Sequence, residues 1–567
     1  MTTFNAYYQS ELAFLRESGR AFATAHPDAA KHLAEAGADP DVERLLEGTA
    51  FLTGRIRQRL DEGLPEVTHA LIEALLPHYL RPLPALTVVQ FASTAIRRDA
   101  VTVPAGAIID AVPFAGTACR FRTTQAVTIS PLGIVQVCSE AGPPTRVAIT
   151  FSLPEGAITT GLDRVRLFLG DDAPAARALH LCLARNDGLS LLVDGQPRAA
   201  NLRLVPLGFA TDESLLPHPP TASECHRLLI EWFAFPQRFH ALELTGLGAA
   251  LRPGTTTFTI NVICATHGRH LPPLGPTSLL LHTMPAVNLF PGEADPLTID
   301  GRSTVHRVRP AGGDPQHLGI FAITGVTGRV PGATRDIPLE RRWHRHAGSA
   351  ATWLERRRPA VLGTGADVDL LLDNAPLADG PVILSLDVLC TNRDLPTRLG
   401  IGDVRRPGPG VPAGVTVRNL LVPTLAVEPA LSGDLHWRLL GHLALDRGSL
   451  LSVDGLREAF ALYDLRAPLD QTARHAHQRL SEALVEVTSE RTVRILDGVP
   501  IRGLAITISI DEERLGGVGE AHLLGTVLDG FLSSSVSLNA FTRLAIRCTR
   551  AGEVFTWPDR LGRKRLL

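Results

Sequence analysis

Apolar residues recur at helical spacing up to Leu76, alternate with a period of two through the middle of the chain, and return to helical spacing near the carboxyl end. Residues 4–36 read as a helix with Tyr8, Leu12, Leu15 and Phe22 on one face. The stretch from Asp39 predicts a second helix to about Leu60. Asp39 is a good N-cap, Pro40 suits the first helical position, and Asp41 and Glu43 suit the positive end of the dipole. Its apolar positions are Val42, Leu45, Leu46, Leu52 and Ile56, and its rim is charged at Glu43, Arg44, Glu47 and Arg55. Gly48 and Gly54 each cost this helix ~1 kcal/mol relative to alanine, so each marks either a close approach of another backbone or simple tolerance. A third helix follows Pro65, with Val67, Leu71, Ile72, Leu75 and Leu76 as its stripe. Pro77, Pro82 and Pro84 then predict an extended exit with few core residues, a place where the chain can bend.

From Leu86 the texture becomes that of an antiparallel sheet or sandwich. Leu86–Phe91, Val101–Val103, Cys119–Thr124, Val127–Ile129, Ile134–Val137, Val147–Phe151 and Val165–Leu169 are strand candidates at short spacing. Short β-type runs rich in Gly and Pro continue to about Ala430, the strongest of them Pro381–Leu389. Helical spacing reappears over Trp437–Leu445, Val453–Tyr463 and Leu469–Leu484. An alternating strand at Leu504–Ile510 then leads to a helix over Gly519–Leu538. The expected fold is α+β and multidomain: an amino-terminal helical module (1–84), two β-rich domains (85–240 and 241–430) and a mixed α/β domain (431–567).

Composition narrows the classes of function. The formal charge is −2, so no global field draws in nucleic acid or a membrane. No apolar run approaches the ~20 residues of a membrane span, and the amino terminus lacks the design of a secretory signal. The seven cysteines are scattered, odd in number and without a CxxC, which argues against a disulfide scaffold or structural zinc and fits a reducing cytoplasm.

Catalytic patterns are incomplete. His344 and His346 stand two apart with no third ligand in view, and Gly363-Thr364-Gly365 lacks the lysine of a phosphate loop. Asp367, Asp369 and Asp373 fall short of a calcium loop, because Leu371 and Leu372 stand where an oxygen ligand and a glycine are needed. Gly516-Gly517-Val518-Gly519 before the late helix reads as a turn more readily than as an anion site. No GxSxG, HExxH or spaced Ser-His-Asp set is present. No cofactor, metal or catalytic residue is therefore expected. The aromatic cluster at Trp232, Phe233 and Phe235 and the lone Trp437 read first as core and second as interface anchors.

Seven stretches in one order resemble a known family. Tyr7-Tyr8-x-x-Glu11-Leu12-x-x-Leu15-Arg16 comes first, with the helix from Asp39 after it. Cys119-Arg120-Phe121-Arg122-Thr123-Thr124 follows, then Glu231-Trp232-Phe233-Ala234-Phe235-Pro236-Gln237-Arg238-Phe239. Pro285-Ala286-Val287-Asn288-Leu289-Phe290 and Cys390-Thr391-Asn392-Arg393-Asp394-Leu395-Pro396 come next, the latter the most specific of the set. Trp437-Arg438-Leu439-Leu440-Gly441-His442-Leu443-Ala444-Leu445-Asp446 and Asn539-Ala540-Phe541-Thr542 complete it. Together they are similar to TssF, also called VasA or ImpG, a baseplate component of the bacterial type VI secretion system. Trp232 and Arg238 stand where that family usually has tyrosine and lysine, and Gly441, Ala444 and Asp446 also depart from it.

The resemblance implies a non-enzymatic wedge protein. Two copies would join one TssG, associate with TssK and TssE, and surround the VgrG spike hub. They would meet the membrane complex only indirectly, in the bacterial cytoplasm at the inner face of the inner membrane, and would support assembly and triggering of a contractile sheath. The motif residues Trp232, Phe235, Pro236, Asn392, Arg393, Asp394, Trp437 and His442 are expected to be structural, with Asn392, Arg393 and Asp394 fixing a turn. Glu43, Arg44, Leu45, Leu46, Glu47 and Arg55 are the expected partner interface. The competing readings are a β-rich hydrolase, which needs a cleft gathering perturbed acids or histidines, and a carbohydrate-binding module, which needs exposed aromatic platforms on a sheet.

Overall fold

The computed structural model describes residues 4–26, 39–61, 65–140, 142, 144–159, 161–170, 173–218, 224–264, 271, 273–330, 336–342, 351–360, 365–373, 381–431, 435–444, 451–496, 499–534, 536 and 539–562. Its helices, numbered in chain order, are α1 (Phe4–Ala25), α2 (Pro40–Asp61), α3 (Pro65–Leu75), α4 (Ala173–Ala184), α5 (Glu224–Ala234), α6 (Leu435–Ala444), α7 (Val453–Tyr463), α8 (Gln471–Ala483), α9 (Glu512–Leu515) and α10 (Val518–Ser534). The chain divides into two compact units: Met1–Leu80 with Ala430–Leu445, and Arg81–Pro429 with Asp446–Leu567.

The first unit is helical. The Asp39 side chain accepts from the amide of Asp41 at 3.0 Å, as an N-cap should, and α2 runs from there to Asp61. α1 and α2 form an antiparallel hairpin in which Arg16 meets Glu43 at 2.8 Å and Arg57 meets Glu11 at 2.6 Å. A Cβ on Gly54 would stand 3.3 Å from the Tyr8 backbone, so this glycine does mark a close approach, whereas Gly48 faces open space and is merely tolerated. α3 packs on α6, which the sequence had assigned to the carboxy-terminal domain. α6 joins the amino-terminal helices because its apolar side, with His436 and Leu439 buried, faces them: the His436 ring lies 4.9 Å from that of His69 and 6.3 Å from that of Tyr79.

The extended exit expected at 77–84 is formed only beyond Leu80, where Leu83 lies in an antiparallel bridge. Pro77–Leu80 is a 3-10 turn with proline at its first position, and residues 77–84 are buried throughout, so this segment belongs to cores and is not core-poor. Leu83 then bridges Val427 ahead of the first strand.

The second unit holds the sheets. A six-stranded sheet has the order Val404–Pro407, Ile108–Ala111, Arg120–Thr123, Thr283–Val287, Leu86–Ser93, Val415–Asn419. Within it Leu86 lies opposite Val287 and Val89 opposite Asn419, both antiparallel. In a neighbouring sheet Thr257–Cys264 pairs with both Arg146–Ser152 and Asn186–Val193. The expected division between 85–240 and 241–430 is therefore not followed: strands from both spans share single sheets, since hydrophobic alternation fixes a strand's faces but not its neighbours.

Phe151 and Phe258 stack at 5.1 Å in the core that α4 covers. Cys182 of α4 and Cys264 are disulfide-bonded there with Cα atoms 5.0 Å apart, a single buried link. In the carboxy-terminal part α10 packs against α4, α5 and the Ala540–Cys548 strand. Its Gly519 has the Arg177 carbonyl 2.5 Å from where a Cβ would stand, too close for any other residue. The sheet beneath has the order Leu484–Leu496, Val499–Ile510, Ala540–Cys548, Val554–Thr556. The Leu504–Ile510 strand is thus the inner half of a longer one. The helix ending at Ala483 runs directly into the outer strand, whose Val485, Val487, Thr488, Thr492, Val493 and Ile495 favour extended backbone.

Candidate partner interface

α2 carries two stripes rather than one. Its inner stripe, Glu43, Leu46, Ala50 and Gly54, turns toward α1; Ala50 is fully buried and Leu46 partly so. A second stripe at Leu45, Leu52 and Ile56 recurs at helical spacing on another side of α2, with Leu45 72% and Leu52 64% exposed. α1 adds exposed Phe14 and Phe22, eight positions apart, and the Phe22 ring lies 4.8 Å from that of His26. Phe51 of α2 is half-exposed.

The expected interface residues therefore separate. Glu43 and Leu46 face the hairpin's own seam, Glu43 with only 17% of its side chain exposed, and hold α2 to α1. Arg44, Leu45, Glu47 and Arg55 are exposed, Arg44 with Asp41 at 3.5 Å. Phe14, Phe22, Leu52 and Ile56 had no place in the expected set. Their signal was visible: the helix has more apolar positions than one seam can cover. In the same unit Trp437 is half-exposed on α6, and His442 falls within α6.

The central motifs are packed into the fold. Trp232 and Phe235 are buried, Phe235 directly after the end of α5, and Pro236 opens the following 3-10 turn. The motif's Glu231 accepts from the Leu215 amide at 2.9 Å, from Arg227 at 3.0 Å and from Arg238. Burial, with Arg227 nearby, pushes the Arg238 guanidinium well below its ordinary pKa. Three other motifs meet one another. Asn288 donates to Asn392 Oδ1 and to the Arg120 carbonyl, both at 2.8 Å. The Asn392 amide donates back to Asn288 Oδ1 at 2.7 Å, and the Arg120 amide donates to Asn392 Oδ1 at 2.9 Å. Arg393 adopts φ +50° and donates from Nε to the Leu318 carbonyl at 2.8 Å, while Asp394 is exposed at the turn. Asn392 and Arg393, rather than Asp394, supply the hydrogen bonds described at this turn.

The aspartates that the sequence singled out are ion-paired. Asp367 meets Arg307, Asp369 meets Arg356 and Arg358 at 3.2 Å, and Asp373 meets Arg342, which gives the aspartate triplet an ion-pairing role. Burial raises Glu520 to about 7 and Asp529 to about 6, and each of these acids faces an arginine, Arg177 and Arg560. Gly516 and Gly517 have φ near +120° and form a turn before α10. His344, His346, Gly363 and Thr364 lie outside the described residues. Among the described residues no group of three or more His, Cys, Asp or Glu could hold a metal ion, and no helix is long and apolar enough to cross a membrane.

Known proteins resemble this chain over its whole length. The family model described as "Type VI secretion system, TssF" matches residues 1–564. Type VI secretion system component TssF1 of Pseudomonas aeruginosa is 32% identical, over 98% of this chain and 98% of that protein. A chain in a cryo-electron microscopy structure of the type VI secretion system TssK-TssF-TssG baseplate subcomplex is 32% identical, covering 93% of this chain and 99% of its own, with a TM-score of 0.77. A chain of a baseplate complex from the type VI secretion system is 29% identical, covering 99% and 100%, with a TM-score of 0.66. With a family model matched along the chain and a relative 32% identical over 98% of it, this chain belongs to the TssF family of the type VI secretion system.

Proposed function

We propose that this protein is a non-enzymatic structural part of the type VI secretion baseplate wedge, with two copies bound to one TssG. TssK would bind the same wedge, TssE and the sheath would start from it, and six wedges would surround the VgrG hub. Assembly would take place in the cytoplasm, at the inner face of the inner membrane. Sheath release would follow from rearrangement of large interfaces between two packed states.

The observation that carries this reading is the α1–α2 hairpin. An amphipathic pair whose inner seam is filled still presents Phe14, Phe22, Leu45, Leu52 and Ile56 outward. Scattered exposed apolar residues are ordinary, but a periodic stripe on a long helix is what helix-in-groove recognition uses. We assign this face to TssG.

The test separates the two sides of α2. Leu45→Glu with Leu52→Glu alters exposed positions, where substitutions cost within about 0.5 kcal/mol of stability. The variant is expected to keep its circular dichroism and to lose copurification with TssG at least tenfold. Leu46→Glu, on the inner side, is expected to destabilise the hairpin itself. Undiminished recovery of TssG by the folded double variant would refute this docking face. Native mass measurement of the copurified complex checks the two-to-one ratio independently.

A further inference from the structure

The outer strand Leu484–Leu496 has Val499–Ile510 as its sole strand neighbour among the described residues. At its base Leu484 is buried and its carbonyl accepts from Arg457 at 3.4 Å, so the open part of its other edge lies beyond that base. Edge strands of this length are normally shortened, bulged, interrupted by proline or guarded by charged residues, lysine above all. This one has no proline or lysine; its charges are Glu486, Glu490, Arg491 and Arg494, and its one irregularity lies at its base, between Leu484 and Glu486. Toward its far end Val493 is 60% and Ile495 76% exposed, and Val485 is exposed near the base.

We propose that this edge pairs antiparallel with the same strand of a second copy of the chain. Self-pairing requires a register in which opposed residues share a face, and the register that pairs Val485 through Ile495 places Glu490 on the two-fold axis. In that register Val487 stands opposite Val493 and Val485 opposite Ile495, Thr488 meets Thr492, and Glu486 meets Arg494 at both ends. Arg494 also meets Asp559 at 2.7 Å within its own chain, so it is already held extended. The one mismatch is Glu490 against its own copy, which keeps the contact weak and reversible. Such an interface is isologous and closes after two copies. It is read from the strand alone and does not depend on the TssG ratio proposed above.

Oxidative cross-linking of the purified full-length chain tests it. In Glu490→Cys the new thiol faces its own symmetry mate, with Cβ atoms ~5 Å apart. In Thr488→Cys the two new thiols lie four residues out of register, ~13 Å along the strand. Glu490→Cys is expected to form covalent dimer at least tenfold faster than Thr488→Cys, with the wild type as background. Sedimentation of Glu490→Gln should show a tighter dimer than wild type, and Ile495→Lys a weaker one, each with unchanged circular dichroism. Equal cross-linking at the two positions, or a wild-type chain that stays monomeric at every concentration with no dimer from Glu490→Cys, overturns the pairing. Loss of TssG copurification would leave this result untouched, so the two proposals fail separately.

Discussion

Glu231→Ala is expected to cost the fold about 3–5 kcal/mol, the usual result of leaving buried charge without its partner. Arg227 and Arg238 are both buried and both meet this one carboxylate, and the Leu215 amide donates to it as well. Removing it leaves two cations facing each other. Arg227 keeps the carbonyls of Phe209 and Ala210, and Arg238 that of Glu213, but neutral acceptors do not cancel charge. The urea midpoint of the variant is expected to fall sharply. Glu231→Leu combined with Arg238→Met should recover part of the loss, because one cation leaves with the anion. A Glu231→Ala midpoint within experimental error of wild type would show that the cluster contributes nothing.

Acidification from pH 7 to 5 is expected to destabilise the chain. Burial lowers His180 and His282 to about 4 and His240 and His522 to about 3 in the sheet-bearing unit, and His436 to about 4 in the helical one. A histidine whose folded pKa is depressed contributes stability that is fully present above its unfolded value, ~6.5, and is lost as pH falls toward the folded one. By pH 5 each of these rings costs about 2 kcal/mol. Glu520 and Asp529 act in the opposite sense. Their folded values are raised, so their contribution is present below the unfolded pKa and lost as pH rises through about 7 and about 6. On acidification they return together about 4 kcal/mol, less than five histidines remove. The net slope is therefore destabilising. His180 is the cleanest probe, since neither of its ring nitrogens has a hydrogen-bond partner. His180→Phe should flatten the pH dependence of the urea midpoint by about 2 kcal/mol between pH 6.5 and 5. A wild-type midpoint equal at pH 7 and pH 5 contradicts the expectation.

Local order was legible where it is set by adjacent residues. The Asp39 cap, the α2 stripe and the β-type run Leu86–Phe91 all gave elements close to those formed, because capping, periodicity and β propensity act over a few positions. Partner choice was not legible. Nothing near Leu86 indicates that Val287 and Asn419 will flank its strand, and nothing near Asn288 names Asn392. The motif strings were readable as text, but their shared hydrogen bonds form only when three distant strands meet. The interface was half legible for a related reason. Apolar spacing marked α2 as amphipathic, yet it takes α1 in place to separate Leu46, which closes the hairpin, from Leu45, which does not.

The placement of Leu86–Ser93 between Thr283–Val287 and Val415–Asn419 also bears on how the protein is made. At about 5–20 residues per second, a ribosome needs tens of seconds after releasing Ser93 to deliver the second of those neighbours. For that interval Leu86, Val88, Val89 and Phe91, all buried in the finished sheet, have no completed sheet to enter. Production of this chain in quantity is therefore expected to depend on chaperone supply during translation, and on lower temperature to slow aggregation more than on any feature of the mature surface.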